Sequence, residues 1–200
     1  ATNILKTANS SVYGTTTQIT SLQRAIVRLG IKAVLGIVTH HALSSSVKGQ
    51  ESIRAVLDHS LHCALVSQKL AAMVGCNGEE AFTCGLLHDV GKTVLLSRLE
   101  DSKYTPETKD DLVKRFHAEA GVLLAVKWNL PDLVVEVIEH HHQPLKATKA
   151  HNIVEVVYLA NYLLHQRDDQ AEIEENCCNI DLTRVDFDQI QESIDQLANG

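Results

Sequence analysis

Two hundred residues with 44% hydrophobic, 22% charged and 4% aromatic content supply enough aliphatic side chain for a sizeable core, and exclude disorder, collagen and a disulfide scaffold. Three Pro and ten Gly are too little punctuation for a sandwich or barrel of short strands, so an all-α domain built of several long helices is expected. The formal charge of −7 and a pI near 5.8 argue against nucleic acid and anionic membrane as partners, since like charges repel.

Residues 20–30 (TSLQRAIVRLG) place Thr20 and Gln23 at capping-box spacing, carry Leu22, Ile26 and Leu29 on one face, and end at a Gly suited to a helix C′ position. A second helical pattern over 31–44 is weakened by Gly36 and β-branched residues, and a Ser-rich joint follows at 44–46. From 52 to 74 the apolar residues Ile53, Val56, Leu57, Leu61, Leu65, Leu70 and Met73 keep a helical period, closed by Gly75, which predicts the central long helix.

Asn77 can cap the next helix, which is expected to run through Leu86, Leu87, Val90, Val94 and Leu95 with His88 and Asp89 inside it. The polar stretch 101–109 is read as a connection before a helix over about 110–128, and a short helix beginning at Pro131 ends in His140-His141-His142-Gln143-Pro144. Another helix is expected over 150–165. The acidic run 168–175 is read as a solvated loop, and 186–197 as a last amphipathic helix. The organisation expected is a single domain, with residues 1–50 as an N-terminal set of helices and 51–200 as the helical core.

No stretch approaches the roughly 18 uninterrupted apolar residues of a bilayer crossing, and Ala1-Thr2-Asn3 lacks the pattern of a signal peptide, so the chain reads as cytoplasmic. Cys63, Cys76, Cys84, Cys177 and Cys178 are odd in number and lack CxxC spacing, which reads as buried or idle thiols. Eleven His beside three Phe, one Trp and one Met is the unusual feature. Imidazole is spent where packing residues are scarce.

His59, the pair His88-Asp89, His117 and the histidine run after 138 fall on separate predicted helices. Neutral imidazole and carboxylate are the usual ligands of iron, manganese, zinc or nickel, and helix bundles build such sites from inward-facing side chains. Two ions a few ångströms apart, bridged by one carboxylate, suit phosphoester hydrolysis because they lower the pKa of a water and stabilise transition-state charge. A lone His in an apolar helical pattern is more often a hydrogen-bonded core residue, so His40, His41, His62, His151 and His165 are read as structural.

His59-Ser60, GLLHDVGK (85–92), HAEAG (117–121) and IEHHHQP (138–144) together resemble the HD superfamily. Ala8-Asn9-Ser10, Tyr13-Gly14 and SLQRAIVRLG (21–30) resemble more narrowly the HDOD group, the HD-related output domains of bacterial signalling proteins. The resemblance covers nearly the whole chain and implies a multi-helix HD-superfamily bundle. It further implies that His59, His88 and Asp89 are metal ligands with Asp89 the bridge, and that His117, His141 and His142 match added ligands of the two-metal branch called HD-GYP. Lys92, one turn past Asp89, matches a lysine that faces substrate phosphate, while an exposed surface lysine is its plainer reading.

Three departures qualify the resemblance. Asn161 stands where the superfamily carries an Asp that completes the first metal position, and a neutral amide is the weaker ligand. Gln143-Pro144-Leu145-Lys146-Ala147 replaces the Glu and Gly-Tyr-Pro loop expected after the histidine run. Similar domains begin with further helices before the ANS motif, so an uncovered apolar face, and with it self-association or a protein partner, is expected.

The function implied is a signalling module that retains much of the HD metal site. The alternative is a metal-dependent phosphohydrolase acting on a nucleotide or other phosphoester, with Asp89 and Lys92 as its catalytic residues and one or two divalent ions of iron, manganese, nickel or zinc. A metal-free scaffold, in which the histidines are satisfied inside the bundle, is a third reading.

Overall fold

The computed structural model describes Ala8, Arg24, Ala25, Leu29, Gly30 and residues 51–199. Among these residues the fold is all helical, with no strand. Arg24, Ala25 and Leu29 are helical and Gly30 takes φ +79°, the left-handed stop that the 20–30 pattern requires. The expected helix over 31–44 and its Ser-rich joint lie outside the described residues, as do His40 and His41.

Helix α1 (Glu51–Val74) buries Ile53, Cys63, Leu65, Val66 and Leu70, and stops at Gly75 with φ +80°. Helix α2 (Gly78–Leu87) starts at Asn77, whose side-chain oxygen accepts from the backbone N–H groups of Glu79 and Glu80. The pair packs closely because Gly85 has no side chain: a Cβ there would lie 2.9 Å from the Ala64 α-carbon. Described residues from the N-terminal segment seat on it, with Ala8, Ala25, Leu29, Ala64, Leu65 and Phe82 forming one buried cluster.

The sequence predicts one helix through His88 and Asp89, and the structure breaks there. α2 ends at Leu87, and α3 (Val90–Leu99) begins anew after Asp89 at φ −106°, ψ 15°. Asp is a favoured N-cap residue, yet Asp89 makes no capping hydrogen bond. Its carboxylate is engaged elsewhere.

Helix α4 (Pro106–Lys127) starts earlier than expected, because Thr105 caps it through Thr108 N–H and Pro106 occupies the first turn, where a missing N–H costs nothing. Residues 106–109 are therefore helix rather than connection. α5 (Asp132–His140) follows, with His141 at its C-cap. A single 3₁₀ turn, Pro144–Lys146, leads to α6 (His151–Leu164). Glu136 of α5 anchors the start of α6 by accepting from the backbone N–H groups of Thr148, Lys149 and Ala150.

α6 is the buried axis of the bundle. Every residue from Ile153 to Leu163 is buried, as suits a helix apolar nearly all round. It packs on α1, α2 and α5. Its one acid, Glu155, is fully buried and accepts from Asn179 N–H and side-chain amide and from Ile180 N–H, which pins the following loop. The acidic run is not a solvated loop: Asp169 caps α7 (Gln170–Asn176), and Ile173 is buried beneath it. α8 (Phe187–Ala198), capped by Asp186, buries Ile190 and Ile194 and receives Lys69 from α1 on Gln189 and Ser193. All five cysteines are free thiols, with Cys63, Cys84 and Cys177 buried.

Candidate metal centre

Four distant segments converge on Asp89 and its chain neighbours His88 and Lys92. Around its Oδ2 stand His88 Nε2 at 3.2 Å and His59 Nε2, from the middle of α1, at 3.9 Å. Around Oδ1 stand His117 Nε2 of α4 at 3.5 Å and His141 Nε2, just past α5, at 3.6 Å. His142 Nε2 lies 3.1 Å from His117 Nε2. Asn161 of α6 meets His59 Nε2 through Oδ1 at 2.9 Å, and Lys92 Nζ of α3 meets Asp89 Oδ2 at 2.6 Å. The eight candidate residues chosen from the sequence thus occupy one place.

Local backbone sets the ring orientations. His88 Nδ1 lies 2.7 Å from the Gly85 carbonyl, His117 Nδ1 3.0 Å from that of Val113, and His141 Nδ1 2.9 Å from that of Ile138. A carbonyl only accepts, so each Nδ1 donates and each Nε2 faces inward, as a lone pair in neutral His117 and His141 and, in His88, as one freed when the proton that Asp89 favours is displaced. This is the arrangement that metal-ligating imidazoles need, with the second nitrogen held by a backbone oxygen.

Those lone pairs have nowhere else to go. His88 Nε2, His141 Nε2 and Asp89 Oδ1 are buried and make no hydrogen bond, the close approach of His88 to Asp89 lacking the required geometry. An unpartnered buried polar atom costs about 1–3 kcal/mol, and three converging on one spot are expensive unless a cation offsets them. Ligands about 2.1 Å from an ion lie about 3 to 3.5 Å apart, and the spacings here match. Two donor sets share Asp89: His59, His88 and Asp89, and Asp89, His117, His141 and His142, each with ligand atoms within 4.8 Å of one another.

The two sets differ in readiness. In the first, His59 Nε2 donates to Asn161, and Lys92 already neutralises Oδ2. In the second, Oδ1 and His141 Nε2 are free. The second is the more complete holder of one ion.

Electrostatics follow from burial. Desolvation pulls His59 down to about 4 and His142 to about 3, and lowers His117 and His141, so these imidazoles stay neutral. Burial also opposes charge on His88 and Asp89, but their mutual attraction overrides it, raising His88 and holding Asp89 well below the usual carboxylate range.

The N-terminal matrix of motifs and this centre meet in one family description: the HDOD domain family model matches residues 1–144. The chain belongs to the HDOD family. The HDOD chain shares the fold of a presumed metal-dependent phosphohydrolase from Shewanella amazonensis SB2B, with TM-score 0.73 and 17% identity over 98% of this chain and 78% of that one. It also shares that of a presumed signal transduction protein from Marinobacter aquaeolei VT8, with TM-score 0.60 and 19% identity over the whole of this chain and 49% of that one. Among curated relatives, Ribonuclease Y of Mycoplasma genitalium (strain ATCC 33530 / DSM 19775 / NCTC 10195 / G37) is 36% identical over 87 residues, 44% of this chain and 15% of that protein. The HDOD chain spans between 13% and 37% of the lengths of its curated relatives. Among the described residues no helix is long and apolar enough to cross a membrane.

Sequence reasoning passed over two residues at the centre. His165, read as structural, stacks on His59 with ring centroids 5.1 Å apart. Tyr158 lines the same cleft and has a buried hydroxyl without a partner. The i, i+3 spacing of Tyr158 from Asn161 and the i, i+4 spacing of His165 from it were the available signals. His62 and His151, the other described histidines read as structural, belong to neither donor set. His140 faces Glu139 at 3.8 Å.

Proposed function

We propose that this HDOD chain is a regulatory module that holds one divalent ion on Asp89, His117, His141 and His142. The observation that carries this reading is the pair of buried, unpartnered atoms Asp89 Oδ1 and His141 Nε2, 3.6 Å apart. Three imidazoles and a carboxylate suit iron, manganese, nickel or zinc. Binding there would tie α4 and the end of α5 to the α2–α3 joint, so occupancy would set the mutual positions of three segments. Asn161 and Lys92, which engage the other donor set, support one ion over two. The likeness to a presumed signal transduction protein supports a signalling role.

A second reading, metal-dependent phosphoester hydrolysis, is favoured by a specific feature. A cleft of about 830 Å³ opens on the centre and is lined by Lys92, His117 and His142. A divalent ion, when bound, supplies Lewis acidity and a water of lowered pKa. Lys92, whose ammonium is held at Asp89, would turn to the phosphate; His59 and Asn161 would orient the opposite wall. The likeness to a presumed phosphohydrolase supports this, whereas the net charge of −7 weighs against RNA, the substrate class that the Ribonuclease Y name implies.

Elemental analysis of untagged protein, beside the His88→Ala/Asp89→Ala double variant, tests the centre. Near-stoichiometric metal lost in the variant supports it, and metal-free wild-type protein overturns it. A phosphoester screen on the loaded protein then separates the readings: hydrolysis abolished in the double variant selects the second, and none selects the first.

A further inference from the structure

Helix α4 has two apolar faces. Val113, His117, Gly121 and Ala125 turn inward and are buried. On the opposite side Leu112, Phe116, Glu119, Leu123 and Val126 follow at alternating steps of four and three residues, the a and d positions of a heptad, which draw a straight seam along one side of a helix. This outer seam faces water: Leu123 is 68% and Val126 63% exposed, and Phe116 is exposed beside them. Among the described residues, the exposed large hydrophobic side chains other than Leu145 all lie on α4 or at its ends, where Tyr104 precedes the first turn and Trp128 follows the last. A surface helix normally turns one apolar stripe to the core and polar residues to solvent, so a second apolar stripe marks a contact surface.

The seam fits a second copy of itself. A two-fold axis builds an interface from the same patch on both chains, so the patch must complement itself when reversed. Laid antiparallel over nearly its whole length, α4 sets Leu112 against the partner's Leu123 and Leu123 against the partner's Leu112, and it brings Tyr104 near the partner's Trp128. The charges reverse equally well. Glu119 sits mid-seam, and Arg115, one turn before it, flanks the seam with its guanidinium 5.5 Å from the Phe116 ring centroid. The same reversal sets Glu119 beside the partner's Arg115, and Arg115 beside the partner's Glu119. Within the chain Arg115 meets Asp111 at 3.4 Å in an exposed ion pair, a kind that contributes little and yields to a closer partner. Arg115 and Lys127 also offset the chain's negative excess on this face.

We propose that α4 is a self-association surface through which two copies of this chain pair as an antiparallel two-fold dimer, Leu112 and Leu123 packing across the axis and Arg115 and Glu119 forming reciprocal ion pairs. The assignment stands on the outer face of α4 and does not depend on the metal centre, whose candidate ligand His117 belongs to the buried face.

Sedimentation equilibrium of the full 200-residue chain, from low to high micromolar concentration, tests it. Wild type is expected to show a monomer–dimer equilibrium, and Leu123→Glu is expected to weaken it by about ten-fold or more. Arg115→Glu and Glu119→Arg each bring like charges together twice and are expected to weaken it about ten-fold. Mixed one to one, these two variants complement each other at both ion pairs, so their heterodimer is expected to form at wild-type affinity. A purely structural effect within one chain would not be restored by mixing. All three positions are exposed, so the melting temperatures of the variants are expected to match wild type. A wild-type chain that stays monomeric across the range, association untouched by Leu123→Glu, or charge variants that associate as wild type or that mixing does not restore, each overturn the proposal.

Discussion

Gly91 crosses the backbone of His117 so closely that a Cβ on Gly91 would lie 1.8 Å from the His117 carbonyl oxygen and 2.6 Å from Gly121 N. The two glycines let α3 and α4 meet backbone to backbone, and this contact delivers the His117 ring to Asp89. Gly91→Ala forces backbone apart and is expected to cost about 3 kcal/mol or more. A Cβ on Gly121 meets Ile138 Cγ2 at 2.7 Å, the end of a side chain that can give way, so Gly121→Ala is expected to cost less, about 1–2 kcal/mol. Denaturant melts of both variants check the order.

Asp89 belongs to both donor sets. Asp89→Asn keeps the shape and removes the charge, so metal content measured by elemental analysis is expected to fall below a tenth of wild type. Retained metal would place the ion elsewhere.

Asn161 holds His59 by its amide oxygen. Asn161→Asp restores an anionic ligand beside His59, His88 and Asp89 Oδ2, and is expected to add a second ion with at least ten-fold tighter binding than that set shows in wild type. Metal titration followed by calorimetry should then give two steps. A single unchanged step would mean that Asn161 only orients His59.

Proton competition should separate the two donor sets. Burial keeps His142 neutral down to about 3 and lowers His117 and His141, so protons compete weakly in the second set. His88 is shifted the other way by Asp89, so an ion in the first set must displace a proton, and its affinity must fall as pH falls. Metal retained after dialysis is expected to persist at pH 5.5 in wild type, while the second ion of Asn161→Asp is lost there and regained at pH 7.5.

Glu136 holds the N-terminal end of α6 by three backbone N–H groups and the Thr148 hydroxyl. Partial burial opposes its charge, but those donors outweigh it and depress the carboxyl to about 2. The folded pKa lies below the unfolded one, so its stabilisation is full above about 4.5 and fades as pH falls towards 2. Glu136→Ala is expected to cost about 1 kcal/mol at pH 7, with the gap from wild type narrowing at pH 2.5 in thermal melts.

Local rules made much of this chain legible. Asn77 capping α2, and Gly30 and Gly75 ending helices at positive φ, follow from neighbours in the chain. The family resemblance carried by the motifs, rather than their spacing alone, implied the eight residues of the centre. The misread places share a cause: at 88–89 the helix breaks because Asp89 faces histidines from 59, 117 and 141, which no local pattern contains. The acidic run becomes α7 because Ile173 finds a buried place and Glu172 finds Tyr162. His165 looked like filler until α6 packed against α1 and set it on His59.

The sequence by itself therefore determined that the chain is a helical bundle, because periodicity and caps act within a few turns, and through its motifs singled out which imidazoles and carboxylate gather in one place. Which nitrogen of each ring faces inward, which donors Lys92 and Asn161 engage, and that the Tyr158 hydroxyl is left over were decided only by tertiary structure. Those outcomes depend on atoms brought within about 3 Å across long sequence separations, where one backbone carbonyl or one missing Cβ selects the geometry.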